Sequence, residues 1–331
     1  MSSAWDGLEH SLECTELPHY AINHAAPEDA FYTDRHIAGR CVARFLDVCR
    51  RHSIDLAEHC FIEPSAGEGC FYDFLPARKL GLDIAPRAAP ILQADFLTWQ
   101  PPTLSKECQY TVIGNPPFGH RGAIALAFIK RAFLFADLVA FILPMSFYSN
   151  GKGSNMQRTV ALGATLIHNE ELPAEAFYWP DTGDTMSVNT VFQVWKKGVG
   201  QGVFSDYDIS EFADIYTCCS NPDRYCGLGR GREYDCFIAS TFYQKIGIVH
   251  DFAEVQYNSG IGFILKKRKR DILRLLKRTD WRQYSSGATN HCRHIRMFHI
   301  RKLLGENGYG CPLGDGQQSL AWCPPRCKIP P

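Results

Sequence analysis

The sequence predicts an α/β fold in which a mainly parallel sheet of seven strands carries helices on both faces. Two observations point there. Seven short apolar runs lie between Cys60 and Trp195 and alternate with helical stretches, the pattern of βαβ units. One of them, Val112-Ile113-Gly114, stops abruptly in Asn115-Pro116-Pro117-Phe118. Proline lacks an amide hydrogen and pushes the residue before it towards extended conformations. A buried strand therefore ends here in a rigid loop presenting an amide side chain, two bare carbonyls and an aromatic ring. In open α/β sheets, ligands bind at the carboxyl ends of the strands. A hydrogen-bond acceptor beside a ring that stacks on a flat base suits a nucleobase amine.

The elements follow in order. Residues 1–30 form an N-terminal extension without a periodic pattern. Asp34–Arg51 has apolar positions near helical spacing, with Thr33 or Asp34 as its cap. Strands are expected at Cys60–Ile62, Leu80–Ile84, Ile91–Phe96, Gln109–Gly114, Leu138–Leu143, Thr165–Glu170 and Val188–Trp195. A helical piece is expected after Gly69, and a strongly apolar helix over Ala123–Phe135. Tyr148–Met156, rich in glycine and serine, reads as a mobile loop. A domain boundary is placed near Lys197, giving a sheet domain over 31–197 and a C-terminal region over 198–331. In that region strands are expected at Phe237–Tyr243 and Ile246–Val249, and helices at Lys269–Lys277 and Arg293–Leu304. Gly308–Pro331 is expected to be irregular.

Composition bounds the function. The 331 residues are 45% hydrophobic and 21% charged, an ordinary globular balance. No apolar run approaches the roughly 18 residues needed to span a bilayer, and no signal peptide is visible. The 14 cysteines follow no disulfide framework and read as reduced thiols. The expectation is an intracellular protein, cytoplasmic in a prokaryote or virus and nuclear in a eukaryote, with no membrane partner. The net charge of zero hides an asymmetry: Ile261–Lys302 holds 13 Lys/Arg against Asp271 and Asp280. The run Lys266-Lys267-Arg268-Lys269-Arg270 is its densest part, and such concentration is the footprint of a polyanion-binding face. His291, Cys292, His294 and His299, or Cys311, Cys323 and Cys327, fit no common zinc spacing, so no metal is expected.

The strand ends carry chemistry in a fixed order. Glu63-Pro64-Ser65-Ala66-Gly67-Glu68-Gly69 is a turn whose missing side chains let a ligand approach the backbone. Asp83, 20 residues after Glu63, stands where an acid holds ribose hydroxyls in dinucleotide-binding folds. Asp95, one strand later, is able to accept from an adenine amino group, with Phe96 alongside the ring. Asn-Pro-Pro-Phe closes the series.

With these residues in place, the chain resembles the class I S-adenosylmethionine-dependent amino-methyltransferases that modify adenine N6. Phe61–Phe71 looks like the family's cofactor loop, Gly81–Pro86 like its ribose-binding strand end, with Asp83 and Ile84, and Ala94–Trp99 like its adenine-binding motif. Gly114–Gly119 resembles the catalytic motif, and Phe31-Tyr32-Thr33 the motif that closes over the methionine end of the cofactor. The order is similar to the gamma arrangement of DNA adenine methyltransferases and covers roughly residues 30–197.

The resemblance implies a Rossmann-like fold, S-adenosyl-L-methionine as cofactor, and DNA as substrate. Asn115 and the carbonyl of Pro116 would accept the two N–H bonds of a base flipped from its helix. Pro117 would stiffen the loop and Phe118 would stack on the base. Phe177 resembles a second, sandwiching aromatic, with Tyr178 and Trp179 as competitors. Lys266, Lys267 and Arg268 would meet phosphate, so reversing their charges is expected to weaken binding and flatten its salt dependence.

RNA adenine methyltransferases, including the cap-adenosine type, are the nearest alternative. Guanine-N2 and protein-glutamine enzymes share Asn-Pro-Pro-aromatic, but the early Phe-Tyr-Thr and the basic region favour a polynucleotide. Cytosine-N4 enzymes typically have Ser where Asn115 stands. A silent nucleic-acid-binding pseudoenzyme would be expected to have a damaged motif, and both motifs are intact.

Overall fold

The computed structural model describes residues 32–101, 108–148, 154–179, 182–198, 206–220, 232–287 and 292–313. Phe31, the N-terminal extension, the Gly/Ser-rich stretch 149–153, His291, Cys323 and Cys327 lie outside the described residues. The chain divides into two compact units, Met1–Val203 and Phe204–Pro331.

In the first unit, β1 (Tyr32–Thr33) leads into α1 (Arg35–Arg51). The carboxylate of Asp34 accepts from the amides of His36 and Ile37, capping the helix where its first amides lack partners. Then come β2 (His59–Glu63), β3 (Lys79–Asp83), β4 (Leu92–Gln93), β5 (Gln109–Gly114), α2 (Ala123–Phe133), β6 (Leu138–Pro144) and α3 (Asn155–Val160). They are followed by β7 (Ala164–Glu171), β8 (Phe177–Tyr178), β9 (Thr185–Met186) and β10 (Thr190–Lys197).

Seven of these strands form one sheet in the order β4-β3-β2-β5-β6-β10-β7. Strands β4 to β6 run parallel, and β10 inserts antiparallel between β6 and β7. This is the Rossmann-like α/β sheet that the sequence predicts. The order reverses between β2 and β5, so the crevice of the switch point opens at the ends of these two strands. Their near-continuous apolar runs are what a sheet buried on both faces requires. On one face Phe45, Val48 and Cys49 of α1 pack with Phe61, Ile113, Ile142 and Phe192.

Several expectations change, among them the loop expected over Tyr148–Met156, whose last two residues, Asn155 and Met156, open α3. The strand expected over Ile91–Phe96 shrinks to Leu92–Gln93, because the Asp95 carboxylate accepts from Leu97 N–H at 2.9 Å and turns the chain. The helical piece after Gly69 is a single 3₁₀ turn, Tyr72–Phe74; Leu75, which precedes Pro76, is already extended. In the second unit the strand expected over Phe237–Tyr243 breaks at Ser240.

That unit contains β11 (Tyr207–Asp208), β12 (Ala213–Cys219), β13 (Cys236–Ala239), β14 (Thr241–Phe242), β15 (Ile248–Val249), β16 (Ser259–Leu265) and α4 (Lys269–Arg278). It ends with β17 (Ser286–Gly287), β18 (Arg293–His294), α5 (Met297–Glu306) and β19 (Cys311–Pro312). Strands β12-β16-β13-β15 form an antiparallel sheet, and β14-β18-β17 a second one. Arg293 and His294, expected in a helix, are therefore strand residues. Ile272 and Leu276 of α4 share a core with Ile300, Leu303 and Leu304 of α5.

Candidate functional site

The first unit gathers the strand-end residues of β2, β3 and β5. Gly67 adopts φ +51°, and a Cβ there would meet the Tyr32 ring at 2.8 Å, so the turn after β2 admits only glycine. Its amide donates to Asp83 Oδ2 at 2.7 Å, and Ala85 N–H donates to Oδ1 at 2.8 Å. Asp83 thus ties the glycine turn to the end of β3 while staying half-exposed. Each carboxylate oxygen keeps lone-pair capacity for a hydroxyl donor. Ile84, beside it, is exposed. Ala66 is buried, with its amide on Leu82 O.

Glu63 is 1% exposed and accepts from Tyr72 N–H at 2.6 Å. Burial pushes its carboxyl well above the ordinary carboxylate range, so its neutral form is favoured. Pro64 follows it, and the Ser65 hydroxyl donates to the carbonyl of Asn115 at 2.9 Å. This bond fastens the turn after β2 to the loop after β5. The sequence reading did not single out Ser65; its signal was a hydroxyl residue inside the Glu-Pro-Ser-Ala-Gly turn.

Asn115 carries the most informative atom. Its Oδ1 is buried and has no hydrogen-bond partner among the described residues. A buried acceptor left unmade costs free energy comparable to a lost hydrogen bond, so an incoming donor is the usual resolution. The Thr33 hydroxyl is a second such atom, in a residue only 2% exposed.

The strands β1 and β8 pair with Tyr32 opposite Tyr178 and Thr33 opposite Phe177. Alternation sends one pair inwards and the other outwards. Phe177 is 1% exposed and shares a buried cluster with Phe118, whereas Tyr32 and Tyr178 keep partial exposure with ring centroids 6.1 Å apart. The Tyr178 hydroxyl donates to Glu68 at 3.2 Å, and the Arg87 guanidinium lies 5.2 Å from the Tyr32 ring. Phe177, expected to sandwich a base, is thus a core residue in this arrangement, and Tyr178 has the outward place. Phe96 is also displaced from its expected part: its ring is 1% exposed and stacks on Phe128 at 5.2 Å. Asp95 engages Leu97 through its side chain and Trp99 through its carbonyl.

The loop after Phe118 is a tight knuckle. Gly119, Arg121 and Gly122 all have positive φ, and the Phe118 carbonyl accepts from Ile124 and Ala125. Pro116 is buried and Pro117 partly so.

Lys266, Lys267 and Arg268 lie in the second unit, and acids meet each of them. Lys266 pairs with Asp214 at 2.7 Å, Lys267 with Glu211 at 2.8 Å and Arg268 with Asp271 at 2.9 Å. Lys269 adds Asp235 at 3.0 Å. Four of the five residues in the run thus face a carboxylate; Arg270 has none among the described residues.

With this geometry in view, known proteins offer limited parallels. No protein-family model matches the chain, and no curated protein matches it. Among solved structures it is similar to a protein of Thermoplasma acidophilum, at 18% identity and TM-score 0.34 over 59% of this chain and 98% of that one. It is also similar to the 23S rRNA methyltransferase ErmE, at 17% identity and TM-score 0.33 over 51% of this chain and 70% of that one. A third is the type IIL restriction-modification enzyme MmeI in complex with DNA, at 11% identity and TM-score 0.33 over 52% of this chain and 34% of that one. The fold assignment stands on the strand order itself.

No helix among the described residues is long and apolar enough to cross a membrane.

Proposed function

We propose that this chain transfers a methyl group from S-adenosyl-L-methionine to the exocyclic N6 amino group of adenine in DNA, acting on a flipped base. The observation that carries the reading is the buried, unpartnered Oδ1 of Asn115 at the end of β5, in the sequence Asn-Pro-Pro-Phe.

An adenine amine is a poor nucleophile because its lone pair is delocalised into the ring. Asn115 Oδ1 and the Pro116 carbonyl would each accept one of its N–H bonds. That holds the nitrogen nearer to tetrahedral and frees its lone pair. The rate gain is one of alignment and preorganised dipoles, with no covalent enzyme intermediate. Ser65 serves as a positioning residue by fixing the backbone of Asn115. Phe118 would border the base, with Tyr178 as the outward aromatic in place of Phe177.

The cofactor's fit rests on this chain's own atoms. Gly67 holds the positive-φ turn after β2 tight against the Tyr32 ring, and Asp83, half-exposed at the end of β3, has acceptor capacity for ribose hydroxyls. The unpartnered Thr33 hydroxyl offers a further contact, and Asp95 would take the adenine amine. When bound, the cofactor supplies an electrophilic methyl on a sulfonium.

RNA is the second reading. The carboxylates that meet Lys266, Lys267 and Arg268 weaken the phosphate contact expected of that run for either polymer, so the product analysis separates the two. Incubation with labelled S-adenosylmethionine and duplex DNA, single-stranded DNA or RNA, followed by nucleoside analysis, separates the polymers. Label in N6-methyladenine from DNA supports the first reading. The same product from RNA alone transfers the reaction to the second. Label in guanine or in protein removes both.

A further inference from the structure

The knuckle between the catalytic loop and α2 contains a feature that methyl transfer to a base does not use. Arg121 adopts φ +53° and ψ +25°, the left-handed region that non-glycine residues rarely occupy. Glycine flanks it at 122 and stands at 119, so the chain had the permissive residue to hand and carries arginine here instead.

The conformation is fastened from outside. Asn155 Nδ2 donates to the Arg121 carbonyl at 2.9 Å, and the Ser146 hydroxyl donates to the same oxygen at 3.4 Å. Asn155 also reaches Ser146 Oγ at 3.1 Å. A Cβ on Gly122 would meet Asn155 Nδ2 at 2.8 Å, so these supports press directly against the turn. Two side chains from beyond β6 thus hold one exposed arginine in a costly backbone state. Strain of this kind persists where the surroundings over-determine it, and an observed outlier points towards function.

The Arg121 side chain is exposed and has no carboxylate partner among the described residues. That distinguishes it from the Lys266–Lys269 run, each member of which faces an acid. The knuckle folds back on itself, with Gly122 N–H on the Gly119 carbonyl and Ile124 N–H on the Phe118 carbonyl. The Arg121 backbone is therefore held in the knuckle that directly follows Asn115–Phe118, and its exposed side chain leaves from there. A planar guanidinium with free donors is the side chain suited to bidentate recognition of phosphate.

We infer that Arg121 is a substrate-positioning residue that binds a phosphodiester of the polynucleotide carrying the target adenine. This rests on the proposed function, since the polymer has to pass the loop that holds its base. The positive φ and the pinned carbonyl fix the direction of the Arg121 Cα–Cβ bond, from which the side chain reaches the phosphodiester.

The test uses the full chain with Arg121→Gly, which suits the left-handed backbone and removes the whole side chain, guanidinium included. Arg121→Asn, also tolerant of that region, repeats the readout if the glycine variant does not fold. Fluorescent adenine-containing duplex DNA and single-stranded RNA are titrated across salt concentrations, beside calorimetric binding of S-adenosylmethionine and thermal melting. The expected result is about tenfold weaker oligonucleotide binding and a log–log salt slope smaller by about 1. Cofactor affinity stays unchanged and the melting temperature is equal or higher. Wild-type affinity and salt slope in the variant would overturn the inference even where the wild type methylates adenine. A wild type that methylates no adenine, with binding still lost in the variant, would instead sink the reaction reading and leave the phosphate contact standing.

Discussion

Two arginines in this molecule share a rare backbone state and differ in everything else. Arg268, at the start of α4, and Arg121, after the catalytic loop, both have φ of 53°. The Arg268 guanidinium closes on Asp271 through two nitrogens and lies 5.4 Å from the Tyr309 ring. Arg121 instead has its carbonyl held by Asn155 and Ser146, and its guanidinium meets no acid among the described residues. The contrast extends to the units around them. The basic run of the second unit is a solvated lattice of exposed ion pairs, which contribute little to stability and leave little net field. The strand ends of the first unit carry two buried polar atoms, Asn115 Oδ1 and the Thr33 hydroxyl, without partners among the described residues. Charge counted along a chain does not show how much of it the fold has already paired.

The largest expected effect on binding lies on the first side of this comparison. Asp83→Ala removes the acceptor of Gly67 and Ala85 amides and the expected ribose contact. Hydrogen bonds to a charged group are each worth about 1.5–3 kcal/mol, so cofactor affinity should fall about tenfold to a hundredfold by calorimetry. Unchanged affinity would mean that the Gly67–Asp83 bond is structural only.

A smaller effect is expected on the second side. Replacing Lys266, Lys267 and Arg268 together by Gln should change oligonucleotide affinity by less than about threefold, because their field is already balanced by Glu211, Asp214 and Asp271. A loss of the size expected for Arg121→Gly would restore the polyanion face that the sequence suggests.

The smallest effect concerns pH. Burial raises the Glu63 carboxyl, so its contribution to stability is full below the ordinary carboxylate range and declines as pH rises through its raised value. Glu63→Gln keeps the size and stays neutral, so its melting temperature should fall less between pH 5 and pH 8 than the wild type's. Parallel pH profiles would show that Glu63 is ionised in the folded chain.

Much of the first unit was legible because its signals are local. Apolar runs, prolines and glycines placed β2, β3, β5, β6, β7 and β10 to within a few residues, and the Asp-then-Asn order of strand ends followed. Asp95 was expected inside a strand running to Phe96, but its own Asx turn cuts β4 to two residues and leaves it beyond the strand end. Phe177 was the expected sandwiching aromatic, with Tyr178 and Trp179 as competitors; only the pairing with Tyr32–Thr33 shows that Phe177 turns inwards and Tyr178 outwards. The ion pairs of the second unit were invisible for a different reason. Glu211 lies 56 residues from Lys267 and Asp235 lies 34 from Lys269, so counting charge along the chain separates what the fold brings together.

The central claim is that Asn115 presents a buried acceptor awaiting an amine. Its most direct test is single-turnover methyl transfer by the wild type and Asn115→Ala on the preferred polymer, with cofactor binding measured in parallel. The account predicts a rate about 100- to 1,000-fold lower in the variant, with cofactor affinity unchanged and N6-methyladenine as the wild-type product. Wild-type rates from Asn115→Ala would contradict it.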